Sequence, residues 1–390
     1  MLKDTTAIVG IGQTAFAKSL PQTETELAVE AILLALDDAG IDASEVDGLV
    51  EYSLETTDEV ALARNLGAGD ITWFGMVGYG GGAPAGVVGH AALGVASGQC
   101  EVAVAWRARK RGAAASRPWV QAGLGHAGPR GGGLPRMADW YRPWGLLRPV
   151  DQIAMLARRY MHEYGATRDH FANVALAARR HANRNPNAIM HARELTREEY
   201  FAARWISEPL CLFDNCLETD GALAVVITSA ARARDCRQPP VYVHAVAQGF
   251  HRQHQVMTNY HTDDPLIGPS WACARRLWAQ ADFGPADVDV AQLYDAFTPL
   301  IPLSLEGYGF CGRGEGAAFT EGGALEWPGG RLPVNTSGGG LSEAYVHGFN
   351  LVVEGVRQMR GTSTAQVDGA STCLVTGGEG VPTSALLLRR

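Results

Sequence analysis

Hydrophobic and polar positions along the chain fall into two matching sets. In the first, a helical apolar pattern over 27–36 leads into Ala43-Ser-Glu-Val-Asp-Gly-Leu-Val-Glu-Tyr52, where polar residues give way to a short apolar strand. In the second, the pattern over 271–278 leads into Pro285-Ala-Asp-Val-Asp-Val-Ala-Gln-Leu-Tyr294, which puts Val46 with Val288, Asp47 with Asp289, and Tyr52 with Tyr294. Each set opens with a strand, 7–9 and 241–246, and each carries a glycine triplet, 80–82 and 338–340. A helix-length segment and an apolar strand come next, 102–106 in one set and 373–376 in the other. Strand, helix, strand, glycine turn, helix, strand predicts an α/β fold with parallel pairing, and its recurrence predicts a pseudo-twofold pair of sheets.

Between the sets, from about 107 to 215, the chain is rich in arginine and glycine and then in helical patterns such as Thr167-Arg-Asp-His-Phe-Ala-Asn-Val-Ala-Leu-Ala. This stretch reads as an insertion in the first half, which resumes with the continuous apolar run after Asp220. The expected division is residues 1–235, with a loop domain inserted at about 107–215, and residues 236–390.

A chain of 390 residues suits two domains or one two-lobed architecture, and 46% hydrophobic content supplies buried sheets. The net charge of -8 leaves no basic face for nucleic acid, though a compact anionic ligand is still compatible with it. Only Lys3, Lys18 and Lys110 are lysine, in polar or terminal stretches, so Schiff-base chemistry has few candidates. Seven cysteines, an odd number without a C-x-x-C pair, fit neither a disulfide framework nor a zinc ribbon, and point to a reducing cytoplasm. No signal-peptide pattern and no run of eighteen apolar residues is present, so no membrane segment is expected.

Several local patterns carry weaker chemistry. Gly10-Ile-Gly12-Gln-Thr-Ala15 meets a relaxed dinucleotide fingerprint, but Pro21 interrupts the helix that must come directly after it. Arg107, Arg109, Lys110 and Arg111 form a basic run that suits either a solvated face or the phosphates of an anionic ligand. His251, His254, His261, Asp263 and Asp264 cluster without the spacing of a standard metal site, and no metal is expected.

The opening Val-Gly-Ile-Gly, the repeated helix-to-Val-Asp strand, the glycine-rich turn before a central helix, the Asp-Gly-Ala strand and the glycine-rich final turn together resemble the thiolase superfamily. Within it they resemble the sterol-carrier-protein thiolases and their lipid-transfer-protein relatives. The resemblance covers nearly the whole chain. It implies two βαβαβ halves in a five-layer αβαβα sandwich, a loop domain over the CoA site, and at least a dimer. The departures are chemical. Where the family places its nucleophilic cysteine, the chain reads Gly78-Tyr79-Gly80-Gly81-Gly82-Ala83-Pro84, and Cys100 lies about twenty residues downstream. The two family histidines fall on Tyr294, in Tyr294-Asp295-Ala296-Phe297, and on Tyr345. The acid-base cysteine of the final turn is missing from Thr376-Gly377-Gly378-Glu379-Gly380, with Cys373 just outside it.

Thiolysis and Claisen condensation need an acyl-cysteine, so neither is expected. The pattern is similar to the aldolases of sterol side-chain breakdown, which implies retro-aldol cleavage of a β-hydroxyacyl-CoA. The resemblance favours a steroid with a tertiary-hydroxyl CoA side chain, giving a 17-ketosteroid and propionyl-CoA. That reaction needs a base for the hydroxyl, donors for the enolate oxygen and an acid for the departing carbon, and CoA enters only as part of the substrate. Tyr294 and Tyr345 are the expected catalytic pair. Gly80 and Gly378 are expected to offer amides to the thioester oxygen, with His347 in support. The resemblance further implies a homodimer bound to a small OB-fold protein, itself attached to a hydratase or dehydrogenase. The rival readings are a thiolase or acyltransferase using another cysteine, a nicotinamide enzyme, and a non-catalytic lipid-binding subunit.

Overall fold

The computed structural model describes residues 2–53, 57–110, 142–146, 148–254, 257 and 262–390. Its strands are β1 (Thr6–Gln13), β2 (Gly48–Tyr52), β3 (Trp73–Val77), β4 (Val102–Arg109), β5 (Trp205–Ser207), β6 (Leu210–Cys211), β7 (Gly221–Ser229), β8 (Val241–Gly249), β9 (Val290–Gln292), β10 (Thr372–Thr376) and β11 (Thr383–Arg389). Its helices are α1 (Glu24–Ala39), α2 (Glu59–Leu66), α3 (Pro84–Ala96), α4 (Pro149–Tyr164), α5 (Arg168–Ala182), α6 (Arg197–Ala202), α7 (Pro269–Trp278), α8 (Leu300–Gly307), α9 (Gly316–Phe319), α10 (Gly339–Ser342) and α11 (Phe349–Arg360).

Nine of the described strands form one sheet in the order β3-β2-β4-β7-β1-β8-β11-β10-β9. Outward from the centre, β1, β7, β4 and β2 on one side match β8, β11, β10 and β9 on the other, and Val334 bridges to Ala291 where β3 has its counterpart. The duplication is therefore one of connectivity, and the expected pseudo-twofold pair of sheets meets along one edge. The halves are joined edge to edge by two residue pairs, Ala7 with Tyr242 and Ile8 with Val241. Pairing is parallel for β2 with β3 and β4, and for β9 with β10. It is antiparallel where β10 turns directly into β11, because a strand reached without a crossover must run back.

Helix α1 covers the outer face of β1, β4 and β7, α7 covers that of β8 and β11, and α3 and α11 lie between the halves. This is the five-layer αβαβα arrangement, with one buried cluster under each outer helical layer and a third that fills the centre between the sheets. Strand alternation assigns each side chain to its layer: in β7, Ala222, Ala224 and Val226 face α1, while Leu223, Val225 and Ile227 face the centre.

Local chemistry fixes the repeat. Thr23 and Glu26 form a capping box at the start of α1, and Gly40, at φ 73°, ends it. Gly10 and Gly12 let β1 lie directly on α1, since a Cβ at either would sit about 2 Å from the carbonyl oxygen of Ala35 or Ala31. These glycines thus serve backbone packing, which accounts for the fingerprint-like motif. Asp47 accepts from the amides of Glu101 and Val102 at the head of β4. Asp289 does the same for Ser371 and Thr372 at the head of β10, so the matched aspartates perform the same task.

The chain between β4 and β7 supplies α4, α5, α6 and the β5–β6 hairpin, and α5 packs against α10 of the second half. The insertion thereby lies over the glycine turn that leads to Tyr345.

Candidate active site

Tyr294 comes after β9 in a loop held on both sides. The Asn335 side chain accepts from the Leu293 amide and donates to its carbonyl, both at 2.8 Å, and the Tyr294 amide donates to Thr376 Oγ1 at 3.1 Å. The next residue, Asp295, accepts from the amides of Gly340 and Leu341 at 2.8 and 3.3 Å, pinning the start of α10. Burial pushes the Asp295 carboxyl up to about 6 against those hydrogen bonds.

The two glycine triplets lead into different structures. In the first half α3 begins almost directly after Gly82, but in the second half residues 343–348 intervene between α10 and α11. Those residues carry Tyr345 and His347. The Tyr345 amide donates to Thr219 Oγ1 at 2.9 Å, tying the loop to the segment before β7.

This scaffolding brings the two phenols together. Tyr294 Oη and Tyr345 Oη are hydrogen-bonded, with ring centroids 6.1 Å apart at 61°, and both residues are nearly buried. His347 stands edge-on to Tyr345 with centroids 5.4 Å apart, and its φ of 50° is a left-handed conformation rarely held by a side-chain-bearing residue.

The Tyr294 ring lies in a slot of three glycines. An added Cβ would come within 2.8 Å of the ring at Gly348 and 3.0 Å at Gly378, and at Gly81 it would lie 2.0 Å from the hydroxyl. The phenol therefore fills the space where a side chain on residue 81 would project.

Both tyrosines, Gly80, Gly81, Gly378 and His347 line one cavity of about 1680 Å³, whose wall also includes Val150, Ile153, Phe297 and Leu300. The Gly378 amide donates to the Gly81 carbonyl at 2.8 Å, so its expected service to an oxyanion needs correction: Gly378 contributes room for Tyr294 instead. The Gly82 amide is likewise used, by Tyr79. Gly80 and Gly81 occupy the first positions of that turn, where amides have no acceptor within it, and both reach the cavity.

The basic run does not form a phosphate-binding face. Arg107 is fully buried, and Lys110 donates to the carbonyls of Leu20 and Gln22; Arg111 lies outside the described residues. His261 lies outside them too, and among those described no three histidine, cysteine or acidic side chains converge as for a metal. Cys100 and Cys373 are buried away from the cavity, with burial pushing the Cys100 thiol up to about 12 and the Cys373 thiol well above its ordinary value. Cys216 does line the cavity, although no motif in its neighbourhood singles it out.

The fold and this site define a thiolase-like enzyme without a thiol at the nucleophile position. Residues 252–388 match the Thiolase C-terminal domain-like family. Over 392 residues the chain is 47% identical to the 17-hydroxy-3-oxo-4-pregnene-20-carboxyl-CoA lyase of Mycobacterium tuberculosis, covering all of both chains. Over 394 residues it is 46% identical to the steroid side-chain-cleaving aldolase of Thermomonospora curvata, covering 100% of this chain and 98% of the other. The solved Ltp2-ChsH2(DUF35) aldolase superposes with a TM-score of 0.93 at 44% identity, over 100% of this chain and 98% of that one. The chain belongs to the steroid side-chain-cleaving aldolase family of the thiolase superfamily.

Proposed function

We propose that this enzyme cleaves a 17-hydroxy steroid carrying a short CoA-thioester side chain, by a retro-aldol reaction that yields a 17-ketosteroid and propionyl-CoA. The carrying observation is the hydrogen-bonded pair of phenols on the wall of a cavity with ample room for a steroid nucleus. One tyrosine, as phenolate, takes the proton of the β-hydroxyl. The O–H electrons form the ketone, the Cα–Cβ bond breaks, and its electrons pass to the thioester as an enolate. The other phenol returns a proton to Cα. One proton leaves the substrate and one comes back, so the pair is restored and the chemistry balances without metal, redox cofactor or covalent adduct.

The amides of Gly80 and Gly81 are the donors this reading assigns to the enolate oxygen. The exposed bases on the cavity lining, Lys18, Arg193 and Arg204, suit the CoA phosphates. The edge strand β3 exposes Phe74 and Met76, with Tyr79 and Leu93 nearby in the chain, which supports pairing with a second copy. By likeness to the solved aldolase complex, the dimer takes up a DUF35-type OB-fold protein attached to a hydratase or dehydrogenase. Among the described residues no helix is long and apolar enough to cross a membrane, and the cytoplasm is the compartment we assign.

Incubation with a panel of β-hydroxyacyl-CoA thioesters, with and without the partner, tests the reading by mass spectrometry. A ketone and a CoA ester shortened by the steroid nucleus are expected. An acylated cysteine, or no cleavage of any 17-hydroxy substrate by the complex, would overturn it.

A further inference from the structure

We infer that Arg107 is a positioning residue for the reaction, acting through His347 to hold Tyr345 as the phenolate base. The inference rests on the aldolase reading, but its geometry stands independently. Arg107 lies in β4 on the side of Ala103 and Ala105, so its side chain enters the central layer, where it is fully buried among apolar residues. A guanidinium in such a place is costly unless it is put to use.

Its Nη2 lies 3.1 Å from His347 Nδ1, and its guanidinium stands 5.2 Å from the centre of the Tyr52 ring. An arginine cannot accept a hydrogen bond, so it donates here and His347 Nδ1 must accept. The imidazole is therefore neutral, with its proton on Nε2. This fixes the tautomer of a ring that stands edge-on to Tyr345, and it places a permanent positive charge behind the phenol pair. A tyrosine works as a base near neutral pH only where a neighbour favours its anion, and this is the arrangement that does so.

The other titratable groups near the pair do not take that part. Asp295, from the loop after β9, directs its carboxylate to the Gly340 and Leu341 amides. Glu343, ahead of Tyr345, accepts from Ser337 and Asn350. Tyr52, from β2, stacks under the guanidinium, and Cys216 and Glu218 approach from the segment before β7 on the cavity wall. Arg107 is the cation that reaches His347, and through it the pair, from the core. Tyr345 is then the base and Tyr294, beside Gly81, the acid.

The test compares Arg107→Met and Arg107→Lys with the wild-type chain in its complex, measuring kcat, KM and the pH–rate profile. Arg107→Met is expected to lose about 100-fold in kcat with KM little changed. The limb reporting the base should move by about one pH unit or more toward alkali, and Arg107→Lys should fall between the two. A folded Arg107→Met with wild-type kcat and profile would overturn the inference. So would a loss carried by KM alone, which would make Arg107 a substrate-binding group. Nitrogen-15 NMR of the wild type, with the His347 signal found by its loss in His347→Gln, needs neither folding of an Arg107 variant nor activity. It should show Nδ1 without a proton at neutral pH, and an imidazolium or the Nδ1–H tautomer would end the proposal. If no substrate is cleaved while NMR shows the expected tautomer, the aldolase reading fails and the Arg107–His347 geometry stands.

Discussion

Adding one methyl group at Gly81 is expected to disable the enzyme without unfolding it. An alanine Cβ there would lie 2.0 Å from Tyr294 Oη and 2.3 Å from Cζ, against an ordinary separation of about 3.5 Å, so the phenol must retreat by more than about 1 Å. It has little room to do so, because Gly348 and Gly378 close on the ring from two sides and Tyr345 holds the hydroxyl. A displacement of about 1 Å in a reacting group costs roughly 100-fold in rate, or about 2.7 kcal/mol of barrier. Overpacking should lower stability by about 1–3 kcal/mol, visible in Tm with the circular dichroism spectrum retained. Residue 81 does not have the positive φ that would itself penalise alanine, so the effect comes from contact alone. The assay is kcat/KM for the steroid thioester in Gly81→Ala, Tyr294→Phe and the double variant. Because both substitutions act through one phenol, the alanine should cost less than about tenfold once the hydroxyl is gone. A Gly81→Ala enzyme within about threefold of wild type, or full additivity with Tyr294→Phe, would refute the claim that the position of this phenol sets the rate.

Tyr294→Phe and Tyr345→Phe should each lower kcat by about 10²–10⁴-fold, and the double variant should be little worse than the poorer single, measured under saturating substrate. Cys216→Ala should keep the cleavage rate within about threefold, since the chemistry forms no acyl-sulfur bond; loss of activity with trapped label on Cys216 would restore the thiolase-type alternative. Stability should fall as pH rises, because burial raises Asp295 to about 6, Glu343 to about 7 and Glu379 to about 8. The folded chain then holds protons that the unfolded chain has released, so the contribution is complete below the unfolded values near 4 and is lost through the raised ones. Thermal melts should give a lower Tm at about pH 9 than at about pH 5, and Glu379→Gln should flatten the upper part of that slope.

The repeat is legible in the sequence because both copies solve the same local problem with the same residue: Asp47 and Asp289 each tie off the head of a neighbouring strand, and the spacing around them is kept. Tyr294 and Tyr345 are legible only through a family pattern, since nothing in the periodicity brings residues 51 positions apart to one hydrogen bond. Arg107 escapes the pattern for a physical reason. The apolar run ends at Trp106, which leaves the arginine at the head of a basic run, whereas β4 continues to Arg109. Extending the alternation by one more residue sets Arg107 beside Ala103 and Ala105, inside the core. Gly378 escapes it too, because a position in the chain says nothing about which acceptor an amide already serves.

Gly81 connects these observations. In a thiolase, a side chain at the head of the central helix is the nucleophile, and the residues around it are arranged to receive an acyl group. Here residue 81, within the stretch that matches the head of that helix, has no side chain, and the Tyr294 phenol, arriving from the other half of the duplication, fills the volume one would occupy. A cysteine introduced at residue 81 would have to displace the phenol that the proposed retro-aldol chemistry uses. The two chemistries therefore compete for one volume, and a single substitution that creates a thiol cannot add thiolase activity to the aldolase. Gly81→Cys should lose cleavage as Gly81→Ala does and gain no thiolysis, because Tyr294 and Tyr345 stand where the family resemblance implies the histidines that would activate the sulfur.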